Sequence, residues 1–148
     1  MSLDKVINLR NRLQALPQFA ELAAVHQLEE DKELLADYNR AQLYAGKTVE
    51  GNEIKPDYTP FTKRIKASKG QVNTRVTLKD TGAHHKSIKA NPDSSGVKFT
   101  ATDPKVPKLK KKYSKSGQLY GMSAEDIKEY NQTRMRPGLF TRITRFLF

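Results

Sequence analysis

Hydrophobic positions in the first third of the chain follow a helical period. The apolar residues that recur every three or four positions are Leu3, Val6, Ile7, Leu9, Leu13 and Leu16. This spacing places them on one face of a helix. Pro17 predicts a break or a restart of that helix, because proline is tolerated in a first turn but not in an interior.

A second helix is predicted from Gln18 to about Ala45, in a stretch rich in Ala, Leu, Glu and Gln. Gly46 follows it, at the position where a left-handed C-terminal cap is expected. A helix of this length spans roughly 40 Å at 1.5 Å per residue. Since that exceeds what a small core needs, part of the helix is expected to pack against another subunit.

After Gly46 the pattern changes to short segments separated by turns. Residues 48–54 predict two short strands around a Gly-Asn turn. Residues 75–78 predict a further strand, and a brief helix is expected over 80–88. Strict alternation of apolar and polar residues over 97–102 predicts another strand.

Two basic stretches predict loops. Residues 64–70 are expected to be flexible or ordered only by a partner, and 105–122 is expected to form a loop that holds six lysines and no acid between 105 and 115. Ser123 then caps a C-terminal helix. Residues 139–148 place six apolar side chains in ten positions. Such a tail is expected to dock on the core or on a neighbouring molecule, because a free apolar tail is a liability in solution.

These elements together predict an α+β fold in a single domain over 1–148. A long, slightly acidic N-terminal helical region, 1–46, packs on a small, mostly antiparallel sheet within 47–104. The lysine-rich loop at 105–122 and a C-terminal helix with its apolar tail over 123–148 complete the fold, which carries extended basic loops.

The composition limits the chemistry that is available. The 148 residues include no cysteine, which excludes a disulfide framework, a thiolate metal site and a cysteine nucleophile. No stretch approaches the roughly 18 consecutive apolar residues of a membrane span. The first residues also lack the apolar core of a signal peptide. We therefore expect no membrane partner.

Charge is distributed unevenly along the chain, which carries 27 Lys and Arg against 16 Asp and Glu, a net charge of +11. Residues 1–46 hold five basic and seven acidic side chains, whereas the remaining 102 residues hold 22 and nine. This asymmetry predicts two surfaces with different partners, or one surface that meets a polyanion. The basic side chains expected to face DNA or a partner protein are Lys63, Arg64, Lys66, Lys69, Lys105, Lys108, Lys110, Lys111, Lys112 and Lys115.

Sequence-specific reading of DNA is not expected, because no recognition-helix or stacking-sheet signature is present. Phosphate contacts by these side chains would give salt-dependent binding that ignores sequence. A solvated linker that the lysines keep soluble is an equally good interpretation of 105–115.

Asp80, His84 and His85 form the only tight cluster of potential catalytic or metal-binding side chains. Asp80 and His84 lie four residues apart and would share a face of a helix, but a metal site needs a third or fourth ligand. The favoured interpretation is two ordinary polar histidines on a short surface helix. The sequence contains no phosphate-loop, dinucleotide-binding, serine-hydrolase or zinc-protease motif. We expect no catalytic residue, no cofactor and no metal.

The segment from Val76 to Ile88 resembles a strand-and-turn motif of small morphogenesis proteins of tailed phages. These are the tail-completion, tail-terminator and head–tail connector (neck) proteins, and the similarity covers roughly residues 40–140. The structural positions that the motif implies are Leu78 at the end of a strand, a turn at Asp80, Thr81 and Gly82, and Ser87 followed by Ile88, which returns to the sheet. His84 and His85 depart from the pattern, since an aromatic or aliphatic residue is expected at one of them.

The resemblance implies a non-catalytic subunit that forms a ring homo-oligomer and contacts phage portal, adaptor or tail proteins. Its basic loops would tolerate or favour the passage of phage DNA. Such a protein belongs to the virion neck or tail and is assembled in the host bacterial cytoplasm. The side chains expected at the subunit interface are Phe140, Ile143, Phe146 and Phe148.

Two alternatives stay open at this point. One is a monomeric accessory protein that binds nucleic acid without sequence specificity. The other, less favoured, is a small metal-dependent hydrolase or nuclease that uses Asp80, His84 and His85.

Overall fold

The computed structural model describes residues 1–148 and contains seven α-helices and one two-stranded antiparallel sheet. In chain order the elements are α1 Leu3–Glu30, α2 Lys32–Tyr44, α3 Pro60–Ser68, α4 Ala83–Lys86, β1 Ile88–Asp93, β2 Gly96–Ala101, α5 Val106–Tyr113, α6 Ala124–Tyr130 and α7 Arg136–Leu147. A π-helical segment, Asn131–Met135, joins α6 to α7. The α+β class, the long N-terminal helix, the antiparallel sheet and the C-terminal helix are therefore confirmed.

Helix α1 runs without interruption through Pro17, so the predicted break at this residue is wrong. Side chains on both sides of the proline contact the end of α7. Arg12 Nη1 donates to the carbonyls of Phe146 and Leu147 at 3.2 Å each. The ring of Phe19 stacks on that of Phe146, with centroids 4.1 Å apart. These contacts hold the helix together across a residue that lacks a backbone donor.

The helix that was predicted to continue to about Ala45 is instead divided at Asp31. This residue is only 4% exposed. Its carboxylate accepts hydrogen bonds from Gln27 at 2.7 Å, from the Tyr130 hydroxyl at 3.1 Å and from the Arg134 guanidinium. Burial opposes ionisation of Asp31, but these hydrogen bonds outweigh it and lower the pKa of the carboxyl. One buried carboxylate thus joins α1 to the C-terminal helices.

Helix α2 ends in the predicted left-handed glycine. Gly46 has a φ of +75°. Its N–H donates to the Leu43 carbonyl at 2.9 Å, and the N–H of Lys47 donates to the Gln42 carbonyl at 3.1 Å. This pair of bonds is the Schellman arrangement of a helix C-terminus. The two short strands predicted after it reduce to a single bridge between Lys47 and Glu53.

Strands β1 and β2 pair directly, with Ala90 opposite Phe99. The strand predicted over 97–102 is thus confirmed within one residue, whereas its partner β1 was not predicted. The strand predicted over 75–78 is wrong, because this segment is irregular. Leu78 has a φ of +52° there, in the left-handed region that residues other than glycine rarely adopt.

Both stretches predicted as basic loops contain helices. In α3, Thr59 is the N-cap, and its hydroxyl accepts the N–H of Thr62 at 3.3 Å while Pro60 occupies the first turn. In α5, Val106 and Tyr113 are buried and lie seven residues apart on the same face. The lysines of α5 consequently lie on the outer side of a packed helix.

The hydrophobic core consists of two clusters. The larger contains Leu43, Ile54, Val76, Leu78, Ile88, Val106, Tyr113, Leu119 and Tyr120. The smaller contains Leu35, Ala36, Ala90, Met122 and Tyr130. Phe99 of β2 packs against both clusters, so the sheet joins them.

Helix α6 begins as predicted, with the Ser123 hydroxyl accepting the N–H of Asp126 at 3.1 Å. The chain then continues into α7, which lies antiparallel along α1. Gly138 allows a close approach, because a Cβ added there would lie 2.1 Å from Oε1 of Gln27. The apolar C-terminal segment therefore docks on the N-terminal helix. None of the helices unites the length and the apolar content that crossing a membrane demands.

Candidate functional site

Helices α3 and α5 form the walls of a groove of about 290 Å³, and the segment 78–82 forms its floor. Ile65 and Leu109 supply apolar surface on the two walls. The charged side chains that line it are Lys66, Lys69, Lys79, Lys105, Lys112 and a single carboxylate, Asp80. Five lysines against one aspartate leave an excess of four positive charges. We call this feature the basic groove.

Lys66 is only 7% exposed, although a lysine is rarely buried without a carboxylate partner. Its Nζ donates to the Lys79 carbonyl at 2.6 Å and to Oε1 of Gln71 at 3.2 Å. The same nitrogen lies 5.0 Å from the ring centroid of Tyr58, within the range of a cation–π interaction. No salt bridge includes Lys66. Its partners are all neutral, so its positive charge is not compensated by a carboxylate.

The only acidic side chain of the groove is already paired. Lys69 Nζ donates to Oδ1 of Asp80 at 2.9 Å, and both side chains are 48% exposed. This hydrogen bond, together with the charge of Lys69, lowers the pKa of Asp80. The other four lysines of the groove therefore have no carboxylate partner within it.

His84 and His85 are buried on α4 beneath the groove, so the predicted surface position of these histidines is wrong. Nδ1 of His84 lies 3.2 Å from the Leu78 carbonyl, and its Nε2 lies 2.8 Å from the Tyr120 hydroxyl. Nε2 of His85 lies 2.8 Å from the Thr77 carbonyl. Both imidazoles thus hold the irregular segment 76–78 in place.

The histidines gain no ligand set from the fold. No group of three or more His, Asp and Glu side chains comes together at a distance that would hold a metal ion. Asp80, which was grouped with the histidines in the sequence, pairs with Lys69 instead. The arrangement offers nothing in favour of the metal-dependent hydrolase.

The structure brings the two predicted basic stretches to neighbouring helices. Lys66, Lys69, Lys105 and Lys112 line the groove. The predicted residues that lie exposed outside it, on α3, on α5 or just after α5, are Lys63, Arg64, Lys108, Lys110, Lys111 and Lys115. None of these six forms a salt bridge. They extend the positive surface beyond the groove.

Tyr58, Gln71 and Tyr113 contribute to the groove or to its lysines but were not identified from the sequence. Local patterns in the sequence predict the two helices that these residues adjoin. Thr59-Pro60 is a helix-start signature, and the apolar spacing of 106, 109 and 113 matches a helical face. This apolar spacing is easily missed when the lysines between these positions are interpreted only as a run of charge.

The motif positions after the irregular segment lie at the start of α4 and of β1. Gly82 has a φ of +89° and precedes α4. The Ser87 hydroxyl donates to the His84 carbonyl at 2.8 Å and accepts the N–H of Asp103 at 3.1 Å. Ile88 is fully buried at the start of β1. The motif therefore forms a turn that leads Ile88 into β1. The strand that the resemblance implies before this turn, ending at Leu78, is absent.

Helices α1 and α7 form an antiparallel pair that we call the α1–α7 arm. Helix α7 has no fully buried residue. Of the four predicted interface side chains, Phe146 stacks on Phe19 and Ile143 is half-buried, whereas Phe140 is 74% exposed and Phe148 is 86% exposed. Further exposed apolar side chains of α1 are Leu3, Val6, Ile7, Leu13 and Leu22. The arm thus carries an apolar surface that the chain itself does not cover.

An apolar cavity of about 630 Å³ lies elsewhere on the molecule, between α6 and the sheet. Its apolar lining includes Leu28, Leu35, Val97, Phe99, Met122, Ile127 and Tyr130. Ile127 is exposed at this cavity. The chain therefore presents both a projecting apolar surface and an apolar depression.

No family model, curated protein or solved structure matches this chain. Its function is therefore argued from the arm, the groove and the motif.

Proposed function

We propose that this chain is a non-catalytic structural protein of a tailed-phage virion, which assembles as a ring at the head–tail junction or at the end of the tail. Its partners in this role are further copies of itself and the neighbouring portal, adaptor or tail proteins. The observation that carries the proposal is the uncovered apolar surface of the α1–α7 arm.

The arm favours assembly because seven of its large apolar side chains are exposed. Exposed apolar surface of this kind is a candidate interaction site. The first residues of α1, up to Asn11, extend past the position where Arg12 caps the C-terminus of α7. That end of α1 stands as a single helix, which gains stability when a second molecule packs against its apolar face.

The projecting arm and the apolar cavity are two different surfaces, so one copy can contact the next head to tail. A projecting arm on one copy and a cavity on the next make a head-to-tail contact, and such heterologous contacts close into rings. The turn motif at 80–88 supports the assignment to phage morphogenesis by resemblance.

The nucleic-acid-binding accessory protein remains the second candidate, because the basic groove is a specific feature in its favour. The two candidates differ in oligomeric state. A ring protein assembles through the arm, whereas an accessory binder acts as a monomer.

Light scattering coupled to size exclusion tests the proposal on the full chain, at two protein concentrations, in low and high salt, and with and without DNA. We expect a discrete species many times 16.8 kDa that forms without DNA. The double variant Phe140→Ser/Phe148→Ser is expected to shift that species towards the monomer. Phe61→Ser is the matched control, since Phe61 is 66% exposed but lies on α3, away from the arm.

Electron microscopy of the same fractions distinguishes closed rings from filaments and irregular aggregates. A wild-type chain that remains a monomer under all these conditions, or an oligomer that the Phe140→Ser/Phe148→Ser variant leaves unchanged, contradicts self-assembly through the arm. A monomer that binds DNA only at low salt favours the accessory protein.

A further inference from the structure

We propose that the basic groove binds the phosphate groups of a nucleic-acid backbone, with α3 and α5 on either side of the strand. This site lies apart from the α1–α7 arm and does not depend on ring formation. Its test and the assembly test can therefore fail independently.

The buried ammonium group of Lys66 is the first support. A buried charge with only neutral partners is unfavourable unless an opposite charge compensates it. Lys66 uses the Lys79 carbonyl and Gln71 as hydrogen-bond acceptors, and the Tyr58 ring is the only other group near its Nζ that the chain supplies, so one of its three N–H donors has no acceptor atom. An anion in the groove would supply both an acceptor and the missing negative charge.

The cations of the groove are all lysines. Lysine binds phosphate oxygens as a compact point charge. Lys112 lies in α5 and Lys105 is its N-cap, whereas Lys69 is the C-cap of α3, so the cations approach from both walls. A volume of about 290 Å³ lies at the lower end of ligand sites, which commonly span roughly 300–1,000 Å³. The groove therefore fits a phosphate-bearing segment rather than a bulky ligand.

A polymer is favoured over a free phosphate because the positive surface continues outside the groove. Lys63 and Arg64 extend it on α3, and Lys108 and Lys111 extend it on α5, all exposed and without a carboxylate partner. An isolated anion would leave these side chains unused. A backbone that leaves the groove carries further phosphates past them.

A second copy of this chain does not suit the groove. Each copy carries a net charge of +11, so association of copies adds to the overall positive charge. Several of the acidic side chains in the N-terminal third are also paired within the chain, such as Glu30 with Arg142 and Glu33 with Arg40. A polyanion therefore suits the groove better than a second copy.

Contacts of this kind read the backbone and not the bases. We expect binding that is independent of sequence and strongly dependent on salt, because phosphate contacts release counterions from the nucleic acid. For duplex DNA, the slope of log K against log salt falls by about 0.9 for each phosphate that is neutralised.

Fluorescence anisotropy of labelled 20-nucleotide single-stranded and duplex DNA of mixed sequence tests the proposal with the full chain, from 50 to 200 mM salt. The variant Lys69→Gln/Lys105→Gln/Lys112→Gln removes three charges from the groove. We expect it to weaken binding at least tenfold at 50 mM salt and to reduce the salt slope by about two, at about one each for Lys105 and Lys112, which have no carboxylate partner. Circular dichroism melts establish that the variant stays folded.

The matched control is Lys89→Gln/Lys98→Gln/Lys128→Gln, which removes the same charge from exposed lysines outside the groove. We expect it to change affinity by less than about threefold and the slope by less than about one. Equal losses in the two triple variants would show general attraction to a basic protein and would overturn the site. Failure of the wild type to bind either DNA at 50 mM salt would also overturn it.

Competition distinguishes the sources of the anion. Inorganic phosphate at millimolar concentration and constant ionic strength is expected to displace little DNA. Full displacement would show a pocket for a free anion and would overturn the assignment to a polymer backbone. Polyglutamate that binds with the same dependence on Lys69, Lys105 and Lys112, but more tightly than DNA, would assign the groove to an acidic protein instead.

Discussion

The hydroxyl of Tyr120 lies 2.8 Å from Nε2 of His84, and the other ring nitrogen of this histidine faces the Leu78 carbonyl at 3.2 Å. A carbonyl only accepts, so Nδ1 carries the proton and Nε2 accepts the hydrogen bond from the tyrosine. Burial raises the pKa of Tyr120 to about 12, which keeps its phenol protonated as this bond requires. Burial lowers the pKa of His84 and thus favours its neutral form in this arrangement.

The first prediction is that stability falls as the pH drops below about 6.5. Burial lowers the folded-state pKa of His84 and of His85 below the ordinary value of 6.5. At His84, the charge of Asp103 opposes this lowering of the pKa and the charge of Lys105 adds to it. At His85, the charges of Lys79 and Arg40 add to the lowering of the pKa. The unfolded chain therefore binds more protons in this range, and the free energy of unfolding decreases with falling pH until the folded-state pKa is passed.

Urea denaturation at intervals from pH 8 to pH 5 measures this effect. His84→Gln is expected to reduce the pH dependence below pH 6.5. A wild-type free energy of unfolding that stays constant from pH 7 to pH 5 contradicts the prediction.

The second prediction concerns the junction at Asp31. Asp31→Ala removes a buried carboxylate and leaves the Tyr130 hydroxyl and the Gln27 amide without their acceptor. We expect a loss of about 2–3 kcal/mol in the free energy of unfolding, because buried hydrogen-bond donors are left unsatisfied. Glu29→Ala, which breaks an exposed pair with Lys32, is expected to cost less than about 1 kcal/mol. Chemical denaturation measures both, and similar losses would show that the junction has no special role.

The third prediction separates two phenylalanines of α7. Phe146→Ala removes the stacked contact with Phe19 and is expected to destabilise the monomer by about 2 kcal/mol, within the range of half-buried aromatic truncations. Phe140→Ala alters a side chain that is mostly exposed and is expected to change stability by less than about 0.5 kcal/mol. Thermal melts at low protein concentration measure the difference. A larger effect of Phe140→Ala on the monomer would place this residue in the fold instead of on a free surface.

The fourth prediction is that Gly138→Ala lowers the free energy of unfolding, although a change from glycine to alanine in a helix usually raises it. Replacing a helical glycine by alanine ordinarily stabilises a helix by about 1 kcal/mol. Gly138→Ala is expected to destabilise by about 1–2 kcal/mol, because the new Cβ would lie 2.1 Å from Oε1 of Gln27, which is held by Asp31. In a Gln27→Ala background the same change is expected to be neutral or stabilising. Urea denaturation of the four chains of this double-mutant cycle measures the coupling.

Local signals in the sequence were sufficient where one residue determines the geometry. The cap at Ser123 and the left-handed glycine at Gly46 follow from the side chain or the missing Cβ of a single residue, so their positions were predicted correctly. The strand over 97–102 followed from its alternation. The α+β class was the sum of such signals.

Features that depend on distant contacts were not predictable in this way. Helix α1 continues through Pro17 because α7, more than 100 residues later, contacts it on both sides of the proline. It ends at Asp31 because Tyr130 and Arg134 reach that carboxylate. No local pattern around Pro17 or Asp31 contains this information. The basic groove likewise exists only because α3 and α5 lie side by side.

The junction at Asp31 also has a mechanical consequence. Helix α1 extends about 42 Å from this residue at about 1.5 Å per residue, so a small change of angle at Asp31 moves the other end of the helix far. A rotation of about 10° at Asp31 displaces the N-terminal end of α1 by about 7 Å, which is more than the pitch of one helical turn. The hydrogen bonds of Asp31, together with the packing of α1 on the sheet, thereby set the direction of the arm, and in any assembly built through its tip they set the spacing and the curvature between successive copies.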